Sequence, residues 1–402
     1  MPNALYPLSA SKRDRSIDIL RGFALAGVLF IFCVSDIGPA GNYSNSLADE
    51  IIAWPKWIFI ESRMYTMLIL VFGIGFHVQL EKARQKNASL VPVFTRRLIG
   101  LLVIGFIHAI LLSTRDILMF YAIAGALLLL VRNLSSRQLF IVLVITFLIL
   151  ISGVLYQLFG NVWPQTRALV QPNNYTDHVQ YNWQFFLLYH QMYGVYIEMF
   201  FHFLLGFWIS KAGILKKINE NRIFRRKLLV ISAGIVAILI PLYYFWAPEN
   251  FPPLMKKLGN GWEKYLVSKA VVALWYVLTT ACVTLYATAL ISIARSVKEK
   301  WFRPLVAFGQ MALSNYLIQS FILIPYLLLT NKFNNLPPFE GFIVFLVVLS
   351  LQLIFSAWWM SKYTLGPFEW LLRSFTYWKW QLTKRPVQKE FNDEKQLVTV
   401  SI

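Results

Sequence analysis

A chain of 402 residues in which 57% are hydrophobic and only 14% charged, with a mean hydropathy of +0.56, has the composition of a membrane protein and excludes a soluble globular reading. The net charge of +19 does not mark a nucleic-acid binder, because Lys and Arg stand between apolar runs and not along one amphipathic face. Cys33 and Cys282 lie singly inside apolar runs and are expected as small core residues, without a disulfide or metal role.

The polar, basic N-terminus has no apolar core ahead of a small-residue cleavage site, so no cleaved signal peptide is expected. Ten apolar runs follow: Ile19–Ile37, Met64–Leu80, Leu98–Ser113, Ile117–Val131, Leu139–Phe159, Met192–Ile209, Leu228–Trp246, Tyr265–Ile293, Leu305–Leu329 and Phe342–Met360. Runs of this kind must be helices, since a spanning segment has to satisfy its backbone polar groups internally. The expected fold is all-α: a polytopic transmembrane bundle of ten spanning helices over residues 1–383, followed by a polar cytoplasmic tail over 384–402. With the N-terminus inside, 28 of the 38 Lys and Arg fall on inner segments and eight on outer ones, which places both termini in the cytoplasm.

Helix one starts at the inner face with Asp18 and Arg21, three residues apart on one face, and ends near Asp36. The stretch IIAWPKWIFIESRM, carrying Glu61 and Arg63, reads as an interfacial lead-in to helix two. Gly73 and Gly75 in the FGIGF of helix two allow close helix approach. Helices three and four form an antiparallel hairpin around Ser113-Thr114-Arg115-Asp116, with His108 just below the outer surface.

The longest outer segment, between helices five and six, is rich in aromatics and carries His178 and His190, as a cap over an outward cavity would. Glu198 and His202 in helix six share a face at i and i+4, Lys269 lies near the outer end of helix eight, and Asn315 and Gln319 repeat the i,i+4 spacing in helix nine. Beyond helix ten, YTLGPFEWLLRSFTYWKW suits the inner membrane surface. There is no zinc spacing, Gly-rich phosphate loop, Gly-x-Ser-x-Gly or dinucleotide fingerprint.

Ionisable groups inside hydrocarbon are costly and mark functional sites. His108 oriented by Asp116 is the leading candidate, with Arg63, Arg115, Glu198, His202, Lys269 and Asn315 as substrate-side residues and Arg21 with Arg97 facing an anion on the inner side. Interhelical hydrogen bonding alone is the competing role for His108, and helix packing is the competing role for Glu198 and His202. A proton-coupled transporter of a small molecule, with Glu198, His202 and His108 as relay, is the alternative class.

Five stretches, SIDILRGFALAGVLF, FGIGF, RRLIGLLVIGFIHAILLSTRDILMFYAIAGALLLL, FGQMALSNYLIQS and GPFEWLLRSFTY, together resemble the YeiB family of bacterial membrane proteins. His108, Asp116, Ile117 and Leu118 match that family's His and Gly-Asp-Ile-Leu, with Arg115 in place of the glycine. The family in turn looks related to the transmembrane acyltransferases, including heparan-α-glucosaminide acetyltransferase and the sugar O-acetyltransferases. Those enzymes usually carry a histidine after helix one, where this chain has none. The resemblance implies a protein of the bacterial inner membrane that takes an acyl group from acetyl-CoA at the cytoplasmic side. The group passes to a small-molecule or glycan acceptor at the outer side, with membrane lipid as the surrounding partner and no metal.

Overall fold

The computed structural model describes residues 14–34, 46–113, 116–152, 172, 174–189, 193–245, 262–333 and 336–381. Its elements among these residues are helices: α1 (Arg15–Val34), α2 (Leu47–Pro55) with a π-helical turn (Lys56–Ile60), α3 (Arg63–Gln85), α4 (Val91–Leu111), α5 (Leu118–Val131), α6 (Ser136–Ser152), α7 (Tyr175–Tyr189), α8 (Tyr193–Lys211), α9 (Ile214–Glu220), α10 (Arg222–Phe245), α11 (Trp262–Ser296), α12 (Arg303–Gln310), α13 (Ala312–Leu329), α14 (Pro338–Lys362) and α15 (Pro367–Tyr377). The polar tail from Lys384, together with Asp36 and His190, lies outside the described residues.

All ten apolar runs contain a helix, but they are not equivalent. Among the described residues six helical segments are long and apolar enough to cross a bilayer, or seven if α8 and α9, bent by 60°, count as one. The bend falls at Gly213, whose φ of +74° is the left-handed region that glycine enters without a Cβ penalty. The 14 residues of α5 reach only about 21 Å at 1.5 Å per residue, short of a hydrocarbon core of roughly 30 Å. Run four therefore holds a helix shorter than a full span, buried on one face and exposed at Ile123, Leu127 and Leu130 on the other.

Lipid-facing surface is plain on the outer helices. Ile99, Val103, Phe106 and Ile107 of α4, Ile141, Val144, Ile145 and Leu148 of α6, and Val347, Leu351 and Ile354 of α14 are all exposed. Apolar surface this extensive is a liability in water and a solvent-matched face in lipid. The chain is thus a multi-pass helical membrane protein.

At the centre, α3 packs on α8 through two glycines. A Cβ on Gly73 would lie 2.2 Å from the Phe203 carbonyl oxygen, and one on Gly206 would lie 2.2 Å from that of Leu70. The backbones meet as in small-residue membrane interfaces. Gly75, by contrast, has open space where its Cβ would be. Around this contact Phe72, Phe76, Phe94, Tyr121, Phe203 and Phe207 interlock at ring separations of 4.8–6.1 Å.

The ninth run is broken at Met311 into α12 and α13, and the open N-terminus of α13 is closed by a distant carboxylate. Glu369 of α15 accepts from the Leu313 and Ser314 amides at 2.6 and 3.1 Å and from the Ser314 hydroxyl. Leu372 of the same helix packs over Gly100, and Arg96 donates to the Thr376 carbonyl at 2.7 Å. The closing aromatic stretch is therefore a docked amphipathic helix, with exposed Trp378 and Trp380 at its end.

Candidate functional site

The hairpin of α4 and α5 is closed by Gly105. A Cβ there would stand 2.8 Å from Asp116 Oδ2, 2.8 Å from the Met119 amide and 2.9 Å from Leu118 Cβ. Glycine lets the start of α5 lie directly on α4 one turn below His108. Asp116 precedes α5, and its Oδ2 accepts from the Met119 amide at 2.9 Å. That contact caps α5, and the positive end of the helix favours the carboxylate.

The other oxygen, Oδ1, meets His108 Nδ1 at 3.0 Å. A carboxylate only accepts, so Nδ1 carries the proton and, in the neutral ring, Nε2 is the acceptor. Ser320 of α13 fills that position: its Oγ lies 2.8 Å from Nε2. His108, Asp116 and Ser320 are 1%, 2% and 3% exposed. The Tyr316 ring lies 5.0 Å from the imidazole, and its hydroxyl accepts from the Ile117 amide at 3.3 Å. Carboxylate, imidazole and hydroxyl thus stand in line, the arrangement that activates a hydroxyl for attack on a carbonyl.

The roof of the site is α7. Tyr175 donates to the Leu111 carbonyl at 3.1 Å, His178 Nε2 to that of Leu112 at 3.0 Å, and Asn182 to that of Ile110 at 3.0 Å. These are the last carbonyls of α4, which have no partner within their own helix. A groove of about 530 Å³ runs beside α7 along Ile110, Tyr175, Val179 and Trp183, and one of about 290 Å³ lies between α6, α10 and α11. Neither is lined by His108, Asp116 or Ser320.

The remaining candidates separate into other groups. Fully buried Arg63 places its guanidinium 4.0 Å over the Trp275 ring, against Cys282, and donates to the Glu61 carbonyl at 2.9 Å. Before it, Ser62 holds φ at +61°, a conformation that costs a non-glycine residue energy. Glu198 hydrogen-bonds the hydroxyl of Tyr276, the neighbour of Trp275. Its pairing with His202 is through the backbone only: His202 Nδ1 donates to the Glu198 carbonyl at 2.9 Å. Nε2 of His202 is buried without a hydrogen-bond partner among the described residues.

Asn315 does not reach His108. Its amide donates to the Phe308 carbonyl at 3.2 Å and to Ser356 at 2.9 Å, while Gln352 donates to its carbonyl and receives from Gln319. That network clamps α12, α13 and α14. Arg115 lies outside the described residues, as does the side chain of Lys269. Among the described residues no three His, Cys, Asp or Glu form a metal-binding group.

At the N-terminal end of α1 Arg21 donates to Asp18 at 2.9 Å and stays 31% exposed, while Gln310 holds the other Asp18 oxygen at 3.1 Å. Arg97 lies close enough to Arg21 to feel its charge. It is half-buried over Phe72, 5.1 Å from the ring centroid. It makes no hydrogen bond or ion pair among the described residues. Arg97 and His108 are eleven residues apart, close to three full turns, and so share one face of α4 about 16 Å apart.

Sequence reasoning had no means of finding Ser320. It sits 212 positions from His108, and serines are common in membrane helices. Its one signal is that it ends the FGQMALSNYLIQS stretch.

The family described as "Protein of unknown function (DUF418)" matches residues 209–379. Similar chains run nearly end to end. The uncharacterized protein YxaH of Bacillus subtilis is 28% identical over 94% of this chain and 98% of its own. An uncharacterized 39.9 kDa protein in the amylase 3' region of Bacillus acidopullulyticus is 23% identical over 92% and 96%. The uncharacterized protein YeiB of Escherichia coli is 25% identical over 91% and 96%. No solved structure matches significantly. The likeness to YxaH and YeiB runs nearly the full length of this chain, and the DUF418 match covers its C-terminal part.

Proposed function

We propose that this protein is an acyltransferase of the bacterial inner membrane. It moves an acetyl group from acetyl-CoA at the cytoplasmic face to a sugar or other envelope acceptor at the outer face. The observation that carries the reading is the buried imidazole with a carboxylate on Nδ1 and a hydroxyl on Nε2. This is a general base held in one tautomer and one orientation, and its job is to take a proton from an attacking hydroxyl. In this reading the ten runs cross the membrane, with α5 completing a span together with its flanking turns, and both termini face the cytoplasm.

Arg21 and Arg97 would hold the donor's phosphates, and the thioester supplies an activated acyl group. From Arg97 to His108 the shared face of α4 is followed by rings: Phe72 under Arg97, Tyr121 at 5.5 Å from Phe72, and Tyr316 against His108. The Tyr121 hydroxyl is buried without a partner among the described residues, so it is a donor open to a ligand on this track. Arg63, Glu198 and His202 lie on the α11 side.

The test feeds labelled acetyl-CoA to inside-out vesicles with an envelope extract as acceptor. His108→Ala should cut transfer about 10²- to 10⁴-fold and leave the protein folded in the membrane, since an interhelical hydrogen bond is worth only about 0.6 kcal/mol. One observation favours a second reading, a proton-coupled carrier: the unpartnered His202 Nε2 beside the Glu198–Tyr276 pair. Donor-independent uptake that fails in Glu198→Gln, with no acyl transfer, would replace the enzyme by the carrier.

A further inference from the structure

Helix serines and threonines in this protein usually turn back on their own helix. Thr280, Thr284, Thr288, Ser292 and Ser296 each donate to the carbonyl four residues earlier, the ordinary use of a hydroxyl in a membrane helix. Ser320 does not. Its single hydrogen bond among the described residues crosses from α13 to α4 and ends on His108 Nε2. The preceding turn contributes Tyr316, which packs on the same imidazole. A hydroxyl that turned back on its own helix would take the carbonyl four residues earlier as its partner. This one is set at the atom that removes protons.

We infer that Ser320 is the nucleophile of the site and carries the acyl group as an ester on Oγ, so that transfer proceeds in two steps. This rests on the acyltransferase reading above and goes further, naming a covalent intermediate and a residue.

In the first step His108 Nε2 takes the Ser320 proton as Oγ bonds to the thioester carbonyl carbon. The carbon–sulfur bond then breaks, and the departing thiolate takes the proton from Nε2. In the second step the acceptor hydroxyl gives its proton to Nε2 and bonds to the ester carbonyl carbon. The bond to Ser320 Oγ breaks, and Oγ recovers the proton. Asp116 keeps Nδ1 protonated throughout, and its second oxygen stays on the Met119 amide, so the imidazole turns over without reorienting.

The experiment uses the full chain in lipid nanodiscs, radiolabelled acetyl-CoA and an acid quench before any acceptor is added. Label should appear on the peptide containing Ser320, be absent in Ser320→Ala and His108→Ala, and leave the protein when an envelope extract is added. Ser320→Ala should lose transfer by at least about 10²-fold with an unchanged melting temperature. Ser320→Cys keeps a nucleophile and should carry the label as a thioester that neutral hydroxylamine removes, which the serine ester resists.

Transfer by Ser320→Ala at the wild-type rate, with His108→Ala inactive, would overturn the covalent step and leave a direct general-base acyltransferase standing. Wild-type transfer without label on Ser320, or a Ser320→Cys protein without a hydroxylamine-labile label, would also overturn it. No transfer by the wild type would overturn both readings.

Discussion

Gly105→Ala tests whether the hairpin closure is what aims Asp116. The new Cβ would meet Asp116 Oδ2 and the Met119 amide at 2.8 Å, where ordinary contact begins at 3.4 Å. The amide belongs to α5 and cannot rotate aside, so the start of α5 must retreat by at least about 0.6 Å, the difference between those distances. Moving away from α4 stretches the His108–Asp116 contact of 3.0 Å to about 3.6 Å, beyond hydrogen-bonding distance.

Alanine gains about 0.8–1.0 kcal/mol in helix propensity against about 1–3 kcal/mol of overpacking. The net loss of stability is about 0–2 kcal/mol, while the imidazole loses its anchor. Nitrogen-15 spectra of histidine-labelled protein in nanodiscs, with His108 assigned by a His108→Gln variant, read this directly. The wild type should show one tautomer with a strongly deshielded Nδ1 proton, and Gly105→Ala should lose that signal and mix tautomers. An unchanged His108 signal together with an unchanged melting temperature would refute the reasoning.

Two further expectations follow from contacts remote from His108. Glu369→Ala leaves the Leu313 and Ser314 amides unpaired at a buried helix start and should cost at least about 2 kcal/mol; an unshifted thermal melt in detergent would show that α15 is dispensable. Burial holds His178 below the ordinary histidine range, so the undocked state binds a proton more readily than the docked one. Docking of α7 should be fully stable above about pH 6.5 and weaken as pH falls toward the lowered value. Relative to the intrinsic exchange rate at each pH, protection of α7 amides should fall between about pH 7.5 and about pH 5, and His178→Gln should flatten that dependence.

The membrane fold was legible because a bilayer leaves a long apolar run few conformations, and each of the ten runs does contain a helix. Length was less legible. Run four reads as a span by composition, yet α5 begins only after Asp116 and Ile117 are spent on capping and turning. The pair His108 and Asp116 stood out since charge in hydrocarbon is costly.

At Glu198 and His202 the i,i+4 spacing gave a shared face and said nothing of whether the side chains meet. The imidazole there turns to its own backbone, and the carboxyl turns to Tyr276. Glu369 and Ser320 were out of reach for a different reason. Each acts across more than 50 positions, and neither residue type is unusual where it stands.

On the two-step proposal, the contacts that α7 makes with the last carbonyls of α4 have a kinetic meaning. Water outnumbers any sugar at a membrane surface, so a stored ester survives only if the two are not admitted equally. Tyr175, His178 and Asn182 occupy the carbonyls at the end of α4, about one turn beyond His108. On that proposal an acceptor that displaced α7 would bring its own hydroxyl toward the imidazole. The proposal thus puts the partition between transfer and hydrolysis in the three hydrogen bonds of α7 rather than in His108, Asp116 and Ser320.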